Sequence, residues 1–171
     1  MKKIGFWLCA VLVVVSIYGA ERRREGQSSD EKQIRALEDR FAAAFRAKDV
    51  EAIMSAYAPG GELVVFDVIP PRQYVGFDAY KKDWQDFFAL FPGPVDKFEI
   101  TDLSVATDRN LAYGHSIQRS VMTKKDGSKM DFTARVTDCY RKMGGKWLVT
   151  HEHVSVPVDL NTGKPDFESK P

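Results

Sequence analysis

Apolar residues at Ile34, Leu37, Phe41, Ala44, Phe45 and Ala47 recur at the three- and four-residue spacing of one helix face. They predict a helix capped by Ser29 or Asp30 and running to Lys48. Asp49 is then placed to cap a short second helix through Met54 to Tyr57, stopped by Pro59-Gly60-Gly61. Residues 63–68 are strand-like and end at Pro70-Pro71, which leaves little room for a strand beyond. From Gly76 the helical period returns, with Phe77, Tyr80, Trp84, Phe87, Phe88 and Phe91 forming an aromatic face closed by Pro92-Gly93-Pro94. Four strand-like segments follow, 97–106, 111–123, 129–142 and 146–156, joined by Asp108-Arg109-Asn110, Lys125-Asp126-Gly127 and Gly144-Gly145. Helices gathered ahead of one meander predict an α+β domain in which helices cover one face of a curved antiparallel sheet.

The ends of the chain follow a different pattern. Lys2 and Lys3 precede an unbroken apolar run from Ile4 to Tyr18, then Gly19-Ala20 and Glu21-Arg22-Arg23-Arg24. A basic start, an apolar stretch and small residues predict an export signal over 1–20, cleaved after Ala20, which places the mature protein in the periplasm or outside the cell. The alternative is an uncleaved N-terminal membrane anchor, against which stands a run shorter than the roughly 20 residues of a spanning helix. Residues 21–28 read as a polar linker, 29–158 as the domain and 159–171 as a polar tail with no core pattern.

Removing residues 1–20 takes Lys+Arg from 25 to 23 against 24 Asp+Glu. A balance so close to neutral carries no electrostatic footprint for nucleic acid. Only Cys139 remains of the two cysteines, so the mature fold has no internal disulfide and must be held by its core.

The helix-helix-strand-helix-four-strand order resembles the nuclear-transport-factor-2-like superfamily, over roughly residues 30–157. Within it, the stretch Asp67 to Gly76, Lys82-Asp83-Trp84 and the run Gly145 to Pro157 look like bacterial SnoaL-like or ketosteroid-isomerase-like proteins. Gly-Lys-Trp followed by His-x-His-x-Ser is similar to the association domain of calcium/calmodulin-dependent kinase II. The resemblance implies a cone-shaped domain, its sheet wrapped around the N-terminal helices to leave a pocket open at one end. It does not fix the activity, because the superfold serves isomerases, cyclases, transport factors and assembly modules alike.

Strand alternation divides the last hairpin into two faces. Ala134, Val136, Asp138 and Tyr140 share one, and Arg135, Thr137, Cys139 and Arg141 the other. On the last strand Leu148, Thr150, Glu152 and Val154 oppose Trp147, Val149, His151, His153 and Ser155. By resemblance to the association domain, whose pocket arginines fall at positions matching His115, Asp138 and Val154, the Asp138 and Glu152 faces look inward. Arg135, His151, His153 and Ser155 then turn outward, where dimers of the superfamily pack; alternation alone also allows the reverse, with these four lining the pocket.

Asp67 matches the general-base aspartate of ketosteroid isomerases, and Asp138 the second isomerase aspartate within a one-residue gap. The latter group stays protonated and donates to a developing oxyanion, a case the isomerases exemplify. The isomerase tyrosine corresponds to Phe41, which has no donor; Tyr57, Tyr80 or His115 could take its place. The competing assignments are a strand-end Asp67 that caps the Pro-Pro turn or pairs with Arg72, and an Asp138 buried against an arginine. His151 and His153, two apart on a strand, have chelating spacing, but a third ligand would have to come from His115 or a carboxylate on a neighbouring strand, and no metal and no cofactor is expected. The expected function is binding of a small, largely apolar molecule by a homodimer, through Tyr57, Tyr80, Trp84, His115, Thr150 and Glu152, with Asp67 and Asp138 catalytic only if the protein is an enzyme. An isomerase or cyclase and a non-catalytic oligomerisation module are the alternatives.

Overall fold

The computed structural model describes residues 29–167. The export-signal and linker expectations for residues 1–28 lie outside that range. Helix α1 covers 29–47, so Ser29 and Asp30 are already helical. Its buried stripe is Ile34, Leu37, Phe41, Ala42, Ala44 and Phe45, with one acid, Glu38, inside it. Helix α2 spans Val50–Met54, and the Asp49 side chain accepts from Ala52 N at 3.0 Å as its cap. A 3-10 turn at Gly60–Glu62 leads to strand β1, Val64–Phe66, and β2, Tyr74–Val75, is as short as the prolines require. Helix α3 follows at Phe77–Leu90, and then β3 (Val95–Asp108), β4 (Leu111–Thr123), β5 (Lys129–Met143) and β6 (Lys146–Ser155).

These strands form one sheet in the order β2-β1-β6-β5-β4-β3. All neighbours run antiparallel except β1, which lies parallel to β6 with Val65 beside Glu152. The β5–β6 hairpin turns through Gly144 and Gly145, both at positive φ (55° and 82°), the backbone of a two-residue turn matched to strand twist. The sheet bends where β3 shifts register between Thr101 and Ser104, with Asp102 at φ 53°. Helix α1 is tied to this strand through Arg35 Nη1 to Leu103 O (3.0 Å) and Arg46 Nη1 to Phe98 O (2.9 Å). Lys48 Nζ donates to the carbonyls of Phe91 and Gly93 and fixes the end of α3.

A second irregularity corrects the face assignment on β6. Opposite β5, Cys139 pairs with His151 and Tyr140 with Val149, so Thr150 is an extra residue without a partner. One inserted residue reverses the in-out alternation on either side of it. Trp147 and Val149, which strict alternation places with the histidines, are buried at 4% and 3% exposure, and so is Glu152 at 5% beyond the bulge. Thr150 itself is half-buried, its Oγ1 donating to Cys139 O at 3.2 Å. On β5 the alternation holds, with Ala134, Val136, Asp138 and Tyr140 all buried.

The core lies between the helices and the inner face of the sheet. Phe45 and Phe98 stack at 3.9 Å between ring centres, and Trp84 meets Phe41, Phe45, Tyr80 and Phe88 at 5.7–5.9 Å. Behind the last strand, residues 157–167 fold back through a Val158–Pro165 bridge, and Thr133 N donates to Phe167 O at 3.1 Å.

Candidate functional site

The aromatic face of α3 and the inner face of the sheet do not close on each other completely. They leave a cavity of about 340 Å³, at the lower end of small-molecule sites. Its walls are Phe41 and Phe45 from α1, Tyr80, Trp84 and Phe87 from α3, Phe98 from β3 and Phe132 from β5. Pro165 and Phe167 complete the wall, the Phe167 ring 5.3 Å from that of Phe132. Against this surface stand three carboxyl side chains, Asp67, Asp83 and Glu152, and the neutral polar groups of Gln118 and Ser120.

Glu152 is held by two phenols. Tyr57 Oη donates to Oε2 at 2.8 Å and Tyr80 Oη to Oε1 at 2.5 Å. Tyr57 arrives there because the chain after α2 is pinned to β6, with Ala58 N to Val149 O at 2.8 Å and Val149 N to Ala56 O at 2.9 Å. Burial raises the Glu152 pKa, opposed by the Tyr80 and Tyr57 donors and by Asp138. Burial also pushes both phenols well above their ordinary range, so they remain donors.

Asp138 sits directly across the ladder from Glu152. Burial, then the charges of Glu152 and Glu38, raise its pKa well above the usual carboxylate range. It therefore carries a proton and donates it to Glu152, and its Oδ1, buried with no hydrogen-bond partner, is the carbonyl side of that acid. Asp138 does not line the cavity; Glu152 stands there instead. Gly114, opposite Asp138, admits this cluster, since a Cβ there would lie 3.3 Å from Tyr140 Oη and 3.2 Å from Ser104 O. Tyr140 Oη donates to Glu38 Oε1 at 2.9 Å, and burial raises the Glu38 pKa to about 7. Among the described residues no lysine or arginine forms an ion pair with Glu38, Asp138 or Glu152.

Asp67 follows β1 and lines the cavity with one oxygen on Val68 N at 2.6 Å, which is the turn-capping role, and Arg72 is exposed. Burial first, then the Glu152 charge, raise its pKa to about 7. Asp83 accepts from Tyr74 Oη at 2.6 Å, and burial raises its pKa too.

The structure thus brings together Asp67, Tyr80, Trp84 and Glu152 at the cavity, with Tyr57 behind Glu152. His115 is exposed between the buried Gly114 and Ser116, on the outer face of the sheet. Thr150 is on the bulge. Arg135, His151, His153 and Ser155 share the outer face, as the resemblance implies, with Arg135 opposite Ser155. His151 Nδ1 is 2.8 Å from Val64 O, and the rings of His151 and His153 flank Phe66 at 4.9 and 5.8 Å. The sequence reading did not single out Asp83, Gln118, Ser120, Glu38, Pro165 or Phe167 as site residues. Glu38 was legible as an acid on the apolar stripe of α1, one turn from both Ile34 and Phe41; Pro165 and Phe167 lie in a segment whose polarity conceals them.

A curved, unclosed sheet packed on three helices around an internal cavity is the cone of the nuclear-transport-factor-2-like class. The SnoaL-like domain matches residues 34–159, and the chain belongs to that family. It is 35% identical to an NTF2-like protein of unknown function from Pseudomonas putida KT2440, with a TM-score of 0.75 over 84% of this chain and 98% of that one. A ketosteroid isomerase-like protein from Erwinia carotovora atroseptica SCRI1043 shares the fold at 21% identity, TM-score 0.62, over 72% of this chain and 93% of that one. A candidate calcium/calmodulin dependent protein kinase II association domain from Xanthomonas campestris does so at 24% identity, TM-score 0.61, over 71% and 84%. No match is found among curated proteins.

Proposed function

We propose that this domain binds a small, largely apolar molecule inside the cone. The observation that carries the reading is the cavity itself: a wall of phenylalanines with Tyr80 and Trp84, opposed by a few polar groups able to orient one end of a guest. The family supports it, since SnoaL-like folds include small-molecule binders and isomerases or cyclases. Titration of the protein with naphthalene-sized aromatic compounds, followed by tryptophan fluorescence and calorimetry, tests it. Saturable binding that weakens at least about tenfold in Trp84→Ala is expected; a wild type that takes up none of them sinks the reading.

A second reading, proton transfer by an enzyme, is favoured by Asp67, a carboxyl at the cavity whose pKa of about 7 suits a general base near neutral pH. Phe41 lines the cavity where an isomerase has its donor tyrosine, and Tyr57 and Tyr80 are engaged with Glu152. On this reading Phe41→Tyr raises turnover of a β,γ-unsaturated cyclic ketone and Asp67→Asn abolishes it. No turnover in either the wild type or Phe41→Tyr removes it.

The same proposal places the mature protein outside the cytoplasm, starting near Glu21, as a homodimer packed through the outer sheet face. The basic-apolar-small N-terminus supports the location. Intact-mass analysis of envelope and medium fractions is the check, and full-length chain found only in the cytosol counts against it.

A further inference from the structure

Among the described residues, every ionisable group that lines the cavity is an acid. Asp67, Asp83 and Glu152 face it, and its remaining polar side chains are Gln118, Ser120, the Tyr80 phenol and the Trp84 indole; no described lysine, arginine or histidine takes part. Such a lining sorts guests by charge. A carboxylate or phosphate would enter a space of low polarity against like charges, and none of the described wall residues offers it a cation.

Glu152 makes the bias specific. Its two oxygens each accept one phenolic proton, from Tyr57 and Tyr80, and no lysine or arginine pairs with it among the described residues. Three neutral hydrogen bonds, from the two phenols and from Asp138, do not replace a counter-ion for a carboxylate that is 5% exposed. One lone-pair site of the carboxylate remains beyond those three donors. The Trp84 and Tyr80 rings stand 5.7 Å apart along the same wall, and aromatic faces attract cations that have left water.

We infer that the guest is a lipophilic cation, a protonated amine whose charged end sits against Glu152 and Asp67 while its apolar body lies among Trp84, Phe45, Phe98 and Phe132. This rests on the pocket-binding reading above and adds the charge of the ligand to it. The ammonium supplies the missing counter-charge, and the aromatic walls bury the rest. The neighbouring Asp138 keeps its proton and remains a donor to Glu152, so the cation meets one negative charge at that ladder position rather than two.

Three probes of one shape separate the outcomes: 1-naphthylmethylamine, 1-naphthalenemethanol and 1-naphthoate, each titrated into the full-length protein at neutral pH. The amine is expected to bind about tenfold or more tighter than the alcohol, with the naphthoate weakest. In Asp67→Asn, a half-buried position outside the core, and in Glu152→Gln, the preference for amine over alcohol should shrink to about threefold or less while alcohol binding persists. Equal binding of amine and alcohol, or tighter binding of naphthoate, overturns the cation and leaves the pocket reading intact. Failure of all three at about 1 mM overturns both. An amine preference that survives in Asp67→Asn and in a folded Glu152→Gln also overturns the assignment.

Discussion

Asp138 and Glu152 face each other across β5 and β6, two buried acids in a single rung of the sheet. They are compatible because they differ in protonation: Asp138 holds a proton and gives it to Glu152, which also takes hydrogen bonds from Tyr57 and Tyr80. With Glu38 and its partner Tyr140 one step further in, the inner face of the sheet carries a chain of acids and phenols in place of ion pairs.

That chain sets the pH dependence of stability. Glu38 and Asp67 both have pKa values raised to about 7, from ordinary values of 4.5 and 3.8, so the native state binds these protons more tightly than the unfolded chain. Their contribution is complete below about pH 4 and is lost as pH rises to 7. For Glu38 alone the loss is about 3 kcal/mol. Asp96 and Asp126, whose pKa values are lowered by Lys129 and Ser128, act in the opposite sense below pH 4. Urea unfolding should therefore show greatest stability near pH 5 and a decline to pH 8. Glu38→Gln should flatten that decline; an unchanged slope would show that Glu38 does not titrate in this window.

The bulge at Thr150 makes a second prediction. Deleting this residue makes Val149 and His151 consecutive opposite Tyr140 and Cys139, so the ladder becomes regular with Trp147, Val149 and Glu152 still inward. What is lost is the local kink and the Thr150 Oγ1 bond to Cys139 O, worth about 1 kcal/mol. The deletion should therefore still fold by circular dichroism with a modestly lowered midpoint, and Thr150→Ser, which keeps the count and the hydroxyl, should shift the midpoint by less than about 1 kcal/mol. An unfolded deletion variant would mean that the kink itself, and not only the facing of the side chains, is required.

Assembly is tested on the outer face. Phe66 and Tyr113 are 38% and 55% exposed there, beside His115, Arg135 and His153. Light scattering at micromolar concentration should report a dimer, and Tyr113→Asp should shift it to monomer without changing its circular dichroism. A monomeric wild type would leave this face to solvent.

Much of this fold was legible in the chain. Helix-period stripes marked α1 and α3, paired prolines kept β2 to two residues, and Gly144-Gly145 fixed the last hairpin. Tyr80 and Trp84 were legible as cavity-wall residues from the helical period of α3, whereas Asp67 and the inward facing of Glu152 followed from the family resemblance, since alternation alone left both faces of the last hairpin open. Thr150 was not legible, because a bulge is a defect in periodicity that only the partner strand reveals. His115 followed from a likeness to pocket arginines, and its own strand turns it outward between Gly114 and Ser116. Phe167 escaped because a single aromatic in a polar stretch has no period at all.

The return of residues 157–167 over the cavity separates what makes this domain fold from what makes it selective. Pro165 and Phe167 shape the cavity from a short excursion hung on Val158, Asp159 and Thr133 by backbone hydrogen bonds, by the Asp159 side chain accepting from Asn161 N and Thr162 N, and by one ring contact. The backbone bonds among these are indifferent to side-chain identity. Mutation can therefore recut that wall for a longer, shorter or bulkier guest while the interlocked aromatics of α1 and α3 stay untouched, which gives natural variation and the protein engineer the same inexpensive handle on ligand choice.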